Sequence, residues 1–162
     1  MKRFEQAIRV VGLGRGAASL NVGCTLLVAI CIAAPACAQW IPNGVPVCTA
    51  ESNQGLEAIV PDQAGGAIFV WGDSRGSVDV YAQHVDSTGT VQWAAGGVVV
   101  CDAAGLQTSP AAITDGFGGA IVMWRDNRIS GSNKLYGQRI NSLGLRQWAS
   151  DGVPLSVSPG TE

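Results

Sequence analysis

The chain has 162 residues, 47% of them apolar and only 14% charged, with 22 glycines and a formal net charge of −2. That is room for one domain; the apolar fraction excludes a disordered chain, and the scattered glycines exclude a fibrous one. After residue 38 there are six basic and eleven acidic residues, a net charge of −5, with no basic cluster. Nucleic acid and anionic lipid are therefore poor partners.

The N-terminus comes first. Lys2, Arg3, Arg9 and Arg15 precede 22 residues without a charge, Ala17 to Ala38, centred on Leu26-Leu27-Val28-Ala29-Ile30-Cys31-Ile32. The run closes on Ala36-Cys37-Ala38, the small-residue pattern that signal peptidase requires, with Pro35 just before it. Residues 1–38 are predicted to be a signal helix cleaved after Ala38. The alternative is an uncleaved anchor, since 22 uncharged residues just span a bilayer. The protein is thus expected to be exported, to the extracellular space or cell surface, with the periplasm as the other destination. Membrane contact is expected only through an uncleaved signal.

Residues 39–162 are predicted to form one repeat region. Trp40, Trp93 and Trp148 recur 53 and 55 residues apart. They open a first copy (40–92), a second (93–147, with a two-residue insertion near Gly131) and a partial third (148–162). The first two copies share Gly44/Gly97, Val47/Val100, Cys48/Cys101, Gln54/Gln107 and Asp62/Asp115. They also share Gly65-Gly66-Ala67-Ile68/Gly118-Gly119-Ala120-Ile121, Trp71/Trp124, Asp73/Asp126, Arg75/Arg128, Tyr81/Tyr136, Gln83/Gln138 and Gly89/Gly144. The third copy opens with Gly152-Val153-Pro154-Leu155.

Every signal within a copy is β. Ala58-Ile59-Val60 runs into a Pro-Asp-Gln-Ala-Gly turn. Ala67 to Trp71 is apolar on both faces, so it should be covered on both sides. Residues 78–86 alternate. Ser87-Thr88-Gly89 reads as a hairpin with glycine at positive φ, and Thr90–Trp93 is predicted to return as the fourth strand. The second copy repeats the pattern at 110–114, 119–124, 133–141 and 145–148. Four short strands per copy at this period are the habit of β-propeller blades. The expected fold is all-β: antiparallel four-stranded blades of an incomplete propeller, two complete and the start of a third.

The pattern Gly-Gly-Ala-Ile-x-x-Trp-x-Asp-x-Arg, then Tyr-x-Gln, then Gly-x-x-Gln-Trp, resembles the Trp-rich propeller repeats of secreted and cell-surface bacterial proteins. The resemblance covers nearly all of 40–156. It implies an exported repeat segment, often followed in that group by a sorting or immunoglobulin-like domain, of which residues 39–162 are expected to hold none. It carries no ligand. Propellers typically close with about 4–8 blades, and two alone leave apolar faces wet. Hence the partners expected are further blades of the same polypeptide, the chain being a fragment of a longer protein. The alternative is a homo-oligomeric ring, as in small sugar-binding propeller lectins with two blades per subunit.

Trp71, Asp73 and Arg75, with Trp124, Asp126 and Arg128, are the candidate ligand-binding residues. A flat apolar ring, a carboxylate and a guanidinium fork suit a sugar or a peptide carboxylate. Their recurrence favours a structural role, with Asp and Arg pinning the loop. Asp62 and Asp115 lead Asp-x-x-Gly-Gly turns; without alternating Asp/Asn these read as Asx turns and not calcium loops. Cys48 and Cys101 hold matching places, with Ser156 at the third. A small buried side chain is the preferred reading and a disulfide the alternative, because neighbouring blades usually hold such positions beyond the roughly 7 Å reach of a bridge. His84, the single histidine, corresponds to Arg139 and is predicted to lie on the surface.

No catalytic group, metal site or cofactor motif can be assembled from these residues. The expected function is a non-catalytic binding or spacing segment, not an enzyme. A carbohydrate-binding propeller using the Trp-x-Asp-x-Arg loops is the first alternative, and part of a propeller hydrolase the second.

Overall fold

The computed structural model describes residues 41–129 and 132–156; the expected signal helix, Trp40 and the insertion at Gly131 lie outside them. The described chain is all-β. It contains strands β1 (Gln54–Pro61), β2 (Ala67–Asp73), β3 (Asp79–Val85), β4 (Val98–Cys101), β5 (Gln107–Thr114), β6 (Ala120–Asp126), β7 (Lys134–Ile140) and β8 (Val153–Pro154). They form two antiparallel four-stranded sheets, ordered β1-β2-β3-β4 and β5-β6-β7-β8.

The first three strands of each sheet lie where the alternation and turn signals place them. Between β1 and β2, Asp62 Oδ1 accepts the backbone N–H groups of Ala64 (2.7 Å) and Gly66 (2.8 Å), the Asx turn expected. Asp115 does the same for Phe117 and Gly119. Gly89, in the hairpin after β3, has φ +83°.

The fourth strand is not where the periodicity puts it. Thr90–Trp93 makes only an isolated bridge, Val85 to Val91, and 145–148 only Ile140 to Arg146. The outer strand of the first sheet is instead β4, from the opening of the second sequence copy. That of the second sheet is β8, from the opening of the third. The physical reason lies in Gln83, whose buried side chain takes over the pairing. Its Oε1 accepts the backbone N–H of Trp93 (3.0 Å) and its Nε2 donates to the Ala94 carbonyl (2.8 Å). The chain then turns at Gly96 and Gly97, both at positive φ, and rejoins β3 further along. Gln138 repeats this with Trp148 and Ala149. The sheets are therefore out of phase with the Trp-to-Trp repeat. The described part of the third copy completes the second sheet and does not begin another.

One core lies between the sheets. Cross-strand partners share a face, so Val60, Ile68, Val70, Val80 and Ala82 of the first sheet project together. They meet Ala120, Val122 and Trp124 of the second. Full burial of each Val or Ile contributes about 1.5–3 kcal/mol relative to exposure. Trp93 closes one margin, its ring lying on Gly144 and its Nε1 donating to the Ser142 carbonyl at 3.0 Å.

Candidate functional site

The two Trp-x-Asp-x-Arg segments adopt the same geometry at the ends of β2 and β6. Trp71 and Asp73 lie two apart on one strand, so both project to one face. Trp71 Nε1 donates to Asp73 Oδ2 at 2.9 Å. The backbone N–H of Arg75 and its Nε donate to Oδ1 at 3.0 and 2.9 Å, and its Nη2 donates to Oδ2 at 2.6 Å. In the second sheet Trp124, Asp126 and Arg128 make the same four bonds, at 2.9, 2.9, 2.9 and 2.6 Å. A carboxylate offers about four acceptor directions. Both are filled, and both carboxylates are buried.

The arginines are held from a second side. Arg75 Cζ sits 4.0 Å above the Tyr81 ring and Arg128 Cζ 3.9 Å above Tyr136, a cation–π contact. Arg75 Nη2 also donates to the Gly96 carbonyl at 2.8 Å, and Arg128 Nη2 to that of Asp151 at 2.7 Å. The motif thus ties the end of the second strand to the turn that launches the fourth. Burial pushes the Asp73 and Asp126 carboxyls up, but the arginine and Trp N–H bonds outweigh it and hold both below the ordinary value. Burial raises the Tyr81 hydroxyl.

Trp71 and Trp124 are more than ring faces. A Cβ built at Gly97 would lie 2.5 Å from the Trp71 ring, and one at Gly152 would lie 2.6 Å from Trp124. Both glycines have positive φ, so sterics and backbone each demand glycine there.

The cysteines are free thiols that meet the same kinds of neighbour, an arginine and a turn carbonyl, at different depths. Cys48 Sγ lies 3.6 Å from the Gly96 carbonyl and from Arg75 Nη2. Cys101 Sγ lies 3.6 Å from the Asp151 carbonyl and 3.4 Å from Arg128 Nη2. Cys101 is buried and Cys48 half-buried. Burial pushes the Cys101 thiol up to about 11.

His84 is not a surface residue. Its ring nitrogen Nε2 lies 2.8 Å from Asp62 Oδ2, as Arg139 Nε lies 2.9 Å from Asp115 Oδ2, so the pair ties β3 to the Asx turn. Burial pushes the Asp62 and Asp115 carboxyls up; His84 with the turn N–H groups, and the turn N–H groups with Arg139, bring them below the ordinary value. The sequence shows Asp62/Asp115 and His84/Arg139 as separate repeats; only the strand register joins them. Gln83 and Gln138 were likewise legible as repeated residues but not as pairing side chains.

Apart from these clusters there is a cleft of about 260 Å³ on the outer face of the first sheet, lined by Val47, Cys48, Gln54, Leu56, Phe69 and Trp71. Among the described residues no group of three or more His, Cys, Asp or Glu could hold a metal ion. No family model, curated protein or solved structure matches the chain.

Proposed function

We propose that this chain is an exported, non-catalytic β-propeller-type repeat segment that presents loops to binding partners or spaces other domains at the cell surface. The observation that carries the reading is the saturation of Asp73 and Asp126. The residues best suited to ligand chemistry direct their polar groups inward, where they fasten one strand to the next turn. The four-stranded antiparallel sheets, stacked face to face, agree with propeller blades. The segments Val98–Cys101 and Val153–Pro154 supply outer strands, and in sequence Gly44–Cys48 corresponds to them ahead of the first sheet.

The lectin alternative draws on one feature, the cleft beside Trp71, which has aromatic and aliphatic walls but no unsaturated carboxylate. A glycan array separates the two. The expected result is no saturable signal for the full chain. Saturable binding that disappears in Trp71→Ala and Trp124→Ala variants of unchanged circular dichroism would replace this reading with a carbohydrate-binding one.

A further inference from the structure

Corresponding residues of the two sheets share chemistry but differ in exposure. Val60 and Val100 of the first sheet are 2% and 0% exposed; their counterparts Ile113 and Leu155 in the second are 65% and 51% exposed. Val70 and Val80 are buried, whereas Met123 and Leu135 are exposed. On the other face the order reverses toward the β1 edge, while Trp71, Asp73 and Gln83 are as buried as Trp124, Asp126 and Gln138. Val122 is buried, whereas its counterpart Phe69 is half-buried, and Ile59 beside it is exposed. Trp93 is 9% exposed where it reaches onto the neighbouring hairpin, and Trp148 is 38% exposed.

The contact inside the chain therefore joins unlike faces. The face of the first sheet that carries Val60 and Val70 meets the opposite face of the second, which carries Val122 and Trp124. Among the described residues part of one face of each kind stays uncovered, at Leu56, Ile59 and Phe69 of the first sheet and at Ile113, Met123 and Leu155 of the second, and these two belong to the two kinds of face that already meet inside the chain. A surface of this type is heterologous: repeated between copies, it closes a ring or runs on as a filament.

Resting on the propeller-type reading above, we propose that the uncovered faces take a second copy of this chain, head to tail. Ile113, Met123 and Leu155 of one copy would dock on Ile59, Phe69 and Leu56 of the next, continuing the internal contact. A copy of this chain fits because it offers to each uncovered face a surface of the kind that already covers its counterpart. Isolated apolar residues on a monomer are ordinary, but a contiguous sheet face is the mark of an interaction surface.

Sedimentation velocity of the full chain across a concentration series tests this. Wild type should associate. An Ile113→Asp/Met123→Asp variant and a Leu56→Asp/Ile59→Asp variant should each be monomeric, because each has lost one half of the contact. All four positions are exposed, so circular dichroism and the melting midpoint should stay at wild-type values. An equimolar mixture of the two variants should form one heterodimer and nothing larger, since each supplies the half the other lacks. A monomeric wild type, association that survives in the variants, or a mixture no different from its components would overturn the proposal. The glycan array is read independently, so failure of assembly and failure of the non-catalytic reading are separable.

Discussion

Asp73 and Asp126 show how a buried charge is kept. Each loses its water, and each regains four hydrogen bonds, three of them from one arginine. Breaking such a pair from one side leaves an uncompensated buried charge and typically costs about 3–5 kcal/mol. Asp126→Ala should therefore lower stability by about 3 kcal/mol in urea titration, because it strands Arg128 and the Trp124 N–H together. Arg128→Lys keeps the charge but loses the planar fork, and should cost about 1.5–3 kcal/mol, the loss of a charge-assisted bond. If Asp126→Ala changed stability by no more than a surface substitution, the pinning role would be wrong. At the same scale, Cys48 is half-buried and Cys101 fully buried with a raised thiol. A thiol reagent at neutral pH should modify Cys48 in the native protein and Cys101 only after unfolding, which mass spectrometry of the labelled chain resolves.

At the scale of the element, the outer strand is the feature that decides how the repeat is cut into sheets. A Cβ at Gly97 would strike the Trp71 ring, and the left-handed backbone there costs a non-glycine residue roughly 1–2 kcal/mol. Overpacking adds about 1–3 kcal/mol more. Gly97→Ala should thus destabilise by about 2–5 kcal/mol in denaturant unfolding, whereas Gly76→Ala, with open space around its Cβ position, should stay within about 0.5 kcal/mol. Equal effects would mean that the Trp–Gly contact does not set the path into β4. The same contact explains what the sequence hides. β2 and β3 are legible because apolar runs and alternation are local properties, and the Asx turn because its Asp and glycines are close in sequence. The outer strand is not. Thr90–Trp93 has strand-like residues and follows a hairpin, yet Gln83 intercepts its pairing, and a side chain acting as a ladder group leaves no periodic trace. The Trp-x-Asp-x-Arg cluster was half visible: its residues repeat, but the carbonyl of Gly96 and the ring of Tyr81 reach Arg75 only through the strand register.

For the whole molecule, one core shared by two sheets makes unfolding a common event. Ile68 faces the second sheet from the first, so Ile68→Ala should cost about 2–5 kcal/mol in a single transition, with tryptophan fluorescence and far-UV circular dichroism changing together. Two separate transitions would show that the sheets fold apart. The pH dependence of that transition follows from the buried groups. Asp62, Asp73, Asp115 and Asp126 all have folded-state values below the 3.8 of the unfolded carboxyl. Groups depressed on folding contribute stability that is fully present above the unfolded value and is lost as pH falls through the lower folded ones. Cys101 acts at the other end. Its value rises from 9.0 to about 11, so its contribution is intact below 9.0 and disappears as pH climbs through about 11. Stability should therefore form a plateau through neutral pH, fall on the acid side below about 4 and decline again in alkali. Urea midpoints across the pH range measure this directly. Asp126→Asn should flatten part of the acid limb and leave the alkaline limb alone, while Cys101→Ser should do the reverse. An acid limb of unchanged steepness in Asp126→Asn would mean that folding does not favour ionisation of this carboxylate.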